Sequence, residues 1–183
     1  MALRDASLRG LNPLGAQFAA LGATTFGDAL NLIASLPYGR NSDRANPSLV
    51  LAERRGTCST KHALLAELAR ELDLDVRLTL GIYEMREENT PGVGRVLAAA
   101  GIDAVPEAHC YLRVEDERVD VTRSVTATES PFERLLHEEE IIPAQIGDYK
   151  VALHRQFIEN WAHPRGLDPE YVWQVREHCI RVL

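Results

Sequence analysis

Cysteine, aromatic residues and long apolar runs are all scarce in this chain. It has 183 residues, of which three are cysteine and 6% are aromatic. The cysteines are Cys58, Cys110 and Cys179, and their odd number and wide spacing do not form the pattern of a disulfide framework. We therefore expect free thiols in a reducing compartment, which for this chain is the cytoplasm.

Basic residues are also in the minority. Lysine and arginine number 20 against 27 acidic residues, and the net charge is −7. Without a basic run, such a chain is a poor candidate for binding nucleic acid or an anionic membrane surface. No apolar stretch approaches the length of a membrane span, and residues 1–18 lack the continuous apolar segment of a signal peptide. The sequence gives no indication of the oligomeric state.

What is present is ordinary for one globular domain over residues 1–183, with 45% hydrophobic and 26% charged residues. The periodicity predicts helices first, then strands, then helices. Helices are expected at 25–36, 49–53, 58–72, 95–100, after Pro131, at 148–162 and at 168–183, and strands at 76–85, 108–114 and 118–122. This order, without alternation of strand and helix, is typical of an α+β fold with a small antiparallel sheet.

The stretch RRGTCSTKHALLAEL, residues 54–68, places Cys58 where an apolar stripe at helical spacing begins. Unpaired backbone N–H groups and the positive end of the helix dipole meet at such a position. They favour thiolate over thiol, which makes a cysteine nucleophilic near neutral pH. A free cysteine is also a common small core residue, and this alternative stays open for Cys58. Cys179 fits the apolar stripe of the last helix and is expected in the core, on one face with Val172, Val175, Ile180 and Leu183. In the helix at 148–162, the residues expected in the core are Val151, Leu153, Phe157, Ile158 and Trp161.

A base and an orienting carboxylate for such a cysteine are found in EAHCYLRVEDERVDVTRS, residues 107–124. A two-residue turn at 115–116 pairs residue 114 with 117, and by extension 111 with 120 and 109 with 122. His109 and Asp120 then share a face as diagonal neighbours, with Cα atoms roughly 7–8 Å apart. The alternatives are a structural histidine and a solvated aspartate.

A zinc site is the main competing chemistry. Cys58, His62, His109 and Cys110 are all potential zinc ligands, and the first two can share one helical face. However, adjacent residues of a strand point to opposite sides, so His109 and Cys110 cannot both join one site. We therefore predict no metal and no cofactor. Surface or capping roles are expected for the other histidines, which are His137, His154, His163 and His178.

Three stretches of the sequence carry a resemblance to a known family: GTCSTKHALLAELARELDLDVRL, AHCYLRV and RVDVT. Together they resemble the transglutaminase-like superfamily, whose core is shared with papain-like cysteine proteases. The resemblance covers about residues 36–123, with 124–183 as a C-terminal helical extension, and LPYGRNSDRANPSLVLAERRGTCSTKHALL is similar to a bacterial subgroup. It implies a helix bearing a nucleophilic cysteine, packed on a small antiparallel sheet and flanked by N- and C-terminal helices. The implied catalytic triad is Cys58, His109 and Asp120. Tyr111 stands where many members have tryptophan, and we count it among the substrate-side candidates.

The implied chemistry is attack by Cys58 on a peptide or small amide substrate, through an acyl-thioester intermediate, with hydrolysis expected over cross-linking. The backbone N–H of Cys58 is one expected oxyanion donor, and Asn41 and Arg40 are candidates for the second. Arg40, Arg44, Lys61 and His62 are alternatively expected to bind an acidic substrate or to be solvated surface residues. Two other hypotheses remain open, a non-catalytic module that binds a peptide or small ligand on the same fold, and a zinc-stabilised domain.

Overall fold

A computed structural model describes residues 3–8, 13–122, 130 and 132–183 of the chain. Within these ranges the protein is α+β, as expected, with seven α-helices and a four-stranded antiparallel sheet in the order β3-β2-β1-β4. The helices are α1 (Pro13–Ala20), α2 (Phe26–Ser35), α3 (Leu49–Glu53), α4 (Cys58–Glu71), α5 (Gly94–Ala100), α6 (Asp148–Ala162) and α7 (Pro169–Val182). The strands are β1 (Val76–Met85), β2 (Val105–Val114), β3 (Glu117–Val119) and β4 (Leu135–Ile141).

The chain forms two compact units. The first comprises Met1–Thr79, Cys110–Ser124 and Glu140–Ile146, and the second comprises Leu80–His109, Val125–Glu139 and Gly147–Leu183. The single domain expected over residues 1–183 stays a prediction. Among the described residues, no helix combines the length and apolar character needed to cross a membrane.

Local hydrogen bonds explain where helix α2 begins. The Thr25 side chain caps α2 by accepting a hydrogen bond from the backbone N–H of Asp28. The Asp28 carboxylate in turn accepts hydrogen bonds from the backbone N–H and hydroxyl of Thr24 and from the N–H of Thr25. These bonds lower the pKa of Asp28 to about 2, the backbone bond from Thr24 contributing most. Thr25 and Asp28 therefore form a capping box at the start of α2.

The hairpin register is also confirmed. Strands β2 and β3 pair antiparallel with Leu112 opposite Val119, Arg113 opposite Arg118 and Val114 opposite Glu117. The two-residue turn leaves Glu115 at a φ of 54°, in the left-handed region. The predicted strand 118–122 is wrong in extent, however, because β3 ends at Val119 and Asp120 follows it.

The helix predicted after Pro131 is wrong, since the described residues there form a turn followed by strand β4. Leu135, His137 and Glu139 are half-buried, and the residues between them are exposed. This period of two is that of a strand. The glutamates of HEEE favour a helix by intrinsic propensity, but pairing with the sheet decides the outcome.

The buried face of α6 differs from the predicted one. Of the residues expected in the core, Val151, Leu153, Phe157, Ile158 and Trp161, Ile158 is fully buried and the others are partly exposed. The buried residues recur every four positions and include two polar side chains: Lys150, His154, Ile158 and Ala162. In α7 the predicted face is confirmed for Val172, Val175 and Cys179, while Ile180 and Leu183 are partly exposed.

A buried polar cluster lies in the second unit, where surface roles had been expected for His154. The guanidinium of Arg176 donates two hydrogen bonds to the carboxylate of Glu107, at 2.5 and 2.7 Å. The His154 ring lies 2.8 Å, through Nε2, from the carbonyl oxygen of Pro106. Burial lowers the pKa of His154 to about 4. Burial alone would raise the pKa of Glu107, but the charge and hydrogen bonds of Arg176 bring it to about 2.

Both shifts make the protein less stable in acid. The unfolded chain protonates His154 near pH 6.5 and Glu107 near pH 4.5, whereas the folded chain does so only near pH 4 and pH 2. Stability is thus fully present above pH 6.5 and is lost in two overlapping steps as the pH falls. We expect a loss of about 3–4 kcal/mol between about pH 7 and pH 4, measured by urea unfolding followed by tryptophan fluorescence.

The control for this prediction is His154→Gln, whose amide can still donate to the Pro106 carbonyl but does not titrate. The variant should lack the step in stability that comes from His154 and keep the step at lower pH that comes from Glu107. Equal unfolding free energies for the wild type at about pH 7 and pH 5 would contradict the prediction.

Candidate active site around Cys58

Cys58 is the first residue of the 14-residue helix α4. Thr57 caps the helix, since its side chain accepts from the N–H of Thr60 while the Thr60 hydroxyl accepts from the N–H of Thr57. This is a capping box with threonine at the third helical position. The cysteine is 5% exposed, and its backbone lies at the N-terminal end of the helix, where the positive end of the helix dipole falls. The structure therefore places Cys58 where the sequence predicted it.

Gly56 is required at this turn by close packing. A Cβ atom at Gly56 would lie 2.9 Å from Cγ of Lys61, 3.0 Å from Oγ1 of Thr60 and 3.0 Å from Cγ2 of Val50. Any larger residue would displace the helix start or the stem of Lys61. The spacing of glycine and cysteine therefore has a steric cause.

Two thiols share one hydroxyl in the first unit. Sγ of Cys58 lies 3.8 Å from Oγ of Ser59, and Sγ of Cys110 lies 3.7 Å from the same oxygen. Cys179 lies in the second unit in the core, as predicted, and burial raises the pKa of its thiol to about 11. The Cys179 thiol is therefore protonated and inert at neutral pH.

His62 is fully buried, which rules out the solvated-surface role and does not fit direct contact with a substrate. Its Nε2 accepts a hydrogen bond of 2.9 Å from the backbone N–H of Val121, so the ring proton resides on Nδ1. Nδ1 then donates to the carbonyl oxygen of Cys58 at 2.7 Å. Both ring nitrogens are thus used by backbone groups. Oδ1 of Asp120 lies 3.5 Å from Nε2.

Lys61 is also fully buried, and its ammonium is directed inward. Nζ donates to the carbonyl oxygens of Leu36 at 2.7 Å, Thr122 at 2.9 Å and Val121 at 3.5 Å. These three acceptors match the three N–H donors of an ammonium group. The solvated-surface alternative for Lys61 is therefore wrong, and the burial of its ammonium does not fit contact with an acidic substrate.

Asp120 lies immediately after β3, and its side chain is 27% exposed. Its Oδ1 accepts a hydrogen bond of 2.8 Å from the backbone N–H of Thr122, closing an Asx turn. The carboxylate is thereby fixed by its own chain two residues on, beside the ring of His62.

The amide of Asn41 joins the preceding loop to the start of α4. Its Oδ1 accepts from the Thr60 hydroxyl at 2.8 Å, and Nδ2 donates to Glu53 and to the carbonyl of Arg55, both at 3.0 Å. Both amide hydrogens are therefore used, which does not fit the oxyanion role expected for Asn41. Hydrogen bonds from the hydroxyl and N–H of Ser42, the hydroxyl first, lower the pKa of Glu53 to about 2.

The remaining substrate-side candidates divide by exposure. Arg40 and Arg44 are exposed on the loop that precedes α3. Tyr111 is fully buried, and the guanidinium carbon of Arg118 lies 5.9 Å from the centre of its ring. The expectation of substrate contact does not fit the burial of Tyr111, which packs in the core.

His109 belongs to the second unit, where it is half-buried. Its ring meets Tyr83 edge-on with centroids 6.3 Å apart, and the Phe132 ring centroid lies 5.9 Å away. The role of His109 as the base for Cys58 stays a prediction. Across the ranges that the structure describes, no three histidine, cysteine or acidic side chains are grouped as a metal ion would require.

The chain matches no family model, no curated protein and no solved structure. Sequence reasoning missed the inward direction of Lys61 and His62. The available signal was that these two polar residues directly precede the apolar run Ala63-Leu64-Leu65, in a helix buried along most of its length.

Proposed function

We propose that the protein is a transglutaminase-like cysteine enzyme that hydrolyses an amide or peptide bond. The observation that carries the proposal is the position of Cys58, the first residue of a long, capped helix. Backbone N–H groups and the helix dipole lower the free energy of a thiolate at this position. The overall α+β class and the register of the β2–β3 hairpin are consistent with it.

In the proposed reaction the Cys58 thiolate adds to the carbonyl carbon of the amide. The resulting oxyanion accepts a hydrogen bond from the backbone N–H of Cys58. The C–N bond then breaks, and His109 as imidazolium gives its proton to the leaving amine. Water, deprotonated by His109, attacks the thioester, the C–S bond breaks, and the thiolate is regenerated beside the imidazolium. The product leaves as a carboxylic acid, which loses its proton to solvent. On the resemblance, Asp120 orients His109 and stabilises its charged form.

The second candidate function is a non-catalytic module that binds a peptide or small ligand. It is favoured by the low exposure of Cys58, 5%, because a cysteine used only for packing is buried in the same way. The two candidates differ in the state of the thiol, which is a thiolate near neutral pH only in the enzyme.

Alkylation of Cys58 by iodoacetamide as a function of pH tests the proposal. We expect an apparent pKa well below the ~8.5 of a free thiol, and at about pH 6 a rate at least ~10-fold above that of a model thiol. Peptide mapping by mass spectrometry assigns the label to Cys58, with Cys58→Ala as the control. Alkylation with the pH dependence of an ordinary thiol would reject the enzyme in favour of the binding module.

A further inference from the structure

Lys61 and His62, consecutive in α4, both bind the short segment Asp120–Thr122 that follows β3. We propose that these two residues are positioning residues, which hold the carboxylate of Asp120 at a fixed place relative to Cys58. The inference rests on the proposed function, because it assigns a purpose to Asp120. Neither residue needs to touch the substrate for this role.

The segment depends on α4 because the strand ends before it. The β2–β3 ladder pairs residues as far as Val119, so Val121 and Thr122 lie beyond the end of β3. Buried backbone N–H and C=O groups need partners. The N–H of Val121 donates to His62, both carbonyls accept from Lys61, and the N–H of Thr122 donates to Asp120 itself. All four backbone polar groups of Val121 and Thr122 are thereby bonded, three of them by the two proposed positioning residues.

The same side chains are anchored at the cysteine. His62 donates through Nδ1 to the carbonyl oxygen of Cys58 and accepts through Nε2 from the N–H of Val121. One rigid ring therefore sets the distance between the backbone of the nucleophile and the residue after Asp120. The stem of Lys61 passes against Gly56, two residues before Cys58, so that its position is fixed as well.

Burial makes this arrangement specific. Both side chains are 0% exposed, and an unpaired polar group in such a place is strongly destabilising. Because the donors of Lys61 and both ring nitrogens of His62 are matched by backbone partners, the segment has one favoured position. A shift of Asp120 would leave buried groups without partners.

Asparagine and glutamine at position 62 form a matched pair of variants, because each can replace only one of the two hydrogen bonds of the His62 ring. The shorter side chain of His62→Asn reaches only the position of Nδ1, so it can donate to the carbonyl of Cys58 but loses the hydrogen bond from the N–H of Val121. The longer side chain of His62→Gln reaches the position of Nε2, so it can accept from the N–H of Val121 but loses the hydrogen bond to Cys58. Each variant thus gives up one buried hydrogen bond, and the two should be destabilised to a similar degree.

The readout is the pH profile of Cys58 alkylation, together with hydrogen exchange of the Val121 amide. Asp120→Asn should slow alkylation at about pH 6 by about tenfold, because the carboxylate stabilises the imidazolium that stabilises the thiolate. We expect His62→Asn to approach this loss and to expose the Val121 amide to exchange. His62→Gln should retain most of the alkylation rate at about pH 6 and most of the protection of the Val121 amide from exchange.

The outcomes separate the inference from the proposed function. If Asp120→Asn slows alkylation while His62→Asn alkylates like the wild type, the positioning role is overturned and the enzyme stands. If the wild type alkylates like a free thiol and Asp120→Asn changes nothing, the proposed function itself fails, and the inference with it. Nitrogen-15 NMR of the folded wild type provides a test that needs no variant, since a proton found on Nε2 of His62 instead of Nδ1 would also overturn the inference.

Discussion

Cys58→Ala is expected to abolish hydrolysis of any amide that the wild-type protein turns over, with kcat/KM falling by at least ~10³-fold. Without the sulfur no acyl-thioester forms, and only binding and the oxyanion donors remain. The measurement is a screen of fluorogenic peptides and small amides, followed by steady-state kinetics on the best substrate. Intact-protein mass spectrometry during turnover should show the acyl adduct on the wild type and none on the variant.

Cys110→Ala is the matched control for this variant. Cys110 is also a buried thiol of the first unit, and it lies within hydrogen-bond distance of the same Ser59 hydroxyl as Cys58. Because the proposed reaction gives its sulfur no step, turnover should stay within about threefold of the wild type. If Cys58→Ala and Cys110→Ala lose turnover equally, the loss comes from damaged packing and not from the removal of a nucleophile. If both retain the turnover of the wild type, covalent catalysis by Cys58 is excluded.

Local patterns in the sequence were sufficient for the elements that carry the candidate site. The start of α4 follows from Gly56-Thr57 and the apolar stripe, since capping and helical periodicity act within one or two turns. The β2–β3 register follows from alternation and a two-residue turn, because any shift by one residue would reverse every side chain. Both predictions depend on residues that are close in the chain.

Predictions failed where distant backbone decides the environment of a side chain. Lys61 is buried because the carbonyl oxygens of Leu36, Val121 and Thr122 converge on it, and these residues are 25 or more positions away. His154 likewise lies beside the carbonyl of Pro106, 48 positions away. Polar residues are mostly exposed, so periodicity alone places such side chains outside. Strand β4 was missed for a related reason, since its partner strand lies far off in sequence.

Arg176→Met is expected to lower the free energy of unfolding by about 3–5 kcal/mol. The variant removes both hydrogen bonds to the Glu107 carboxylate, which is 5% exposed and cannot turn to solvent without disturbing β2. Methionine retains much of the volume of the stem, so the loss reflects mainly the carboxylate left without its partner. Urea unfolding at about pH 7, followed by tryptophan fluorescence, gives the value.

Arg155→Met is the matched control because both arginines lie over the ring of Trp173, at 4.1 Å for Arg155 and 5.5 Å for Arg176. The Arg155 side chain is 49% exposed and pairs with an exposed Glu170, so its loss should amount to about 1 kcal/mol or less. Similar losses in the two variants would contradict a dominant role for the buried pair. The pH dependence of unfolding gives a second check, because the pKa of Glu107 should rise when Arg176 is removed. The wild type loses unfolding free energy between pH 4.5 and about 2, and this loss should be smaller in Arg176→Met.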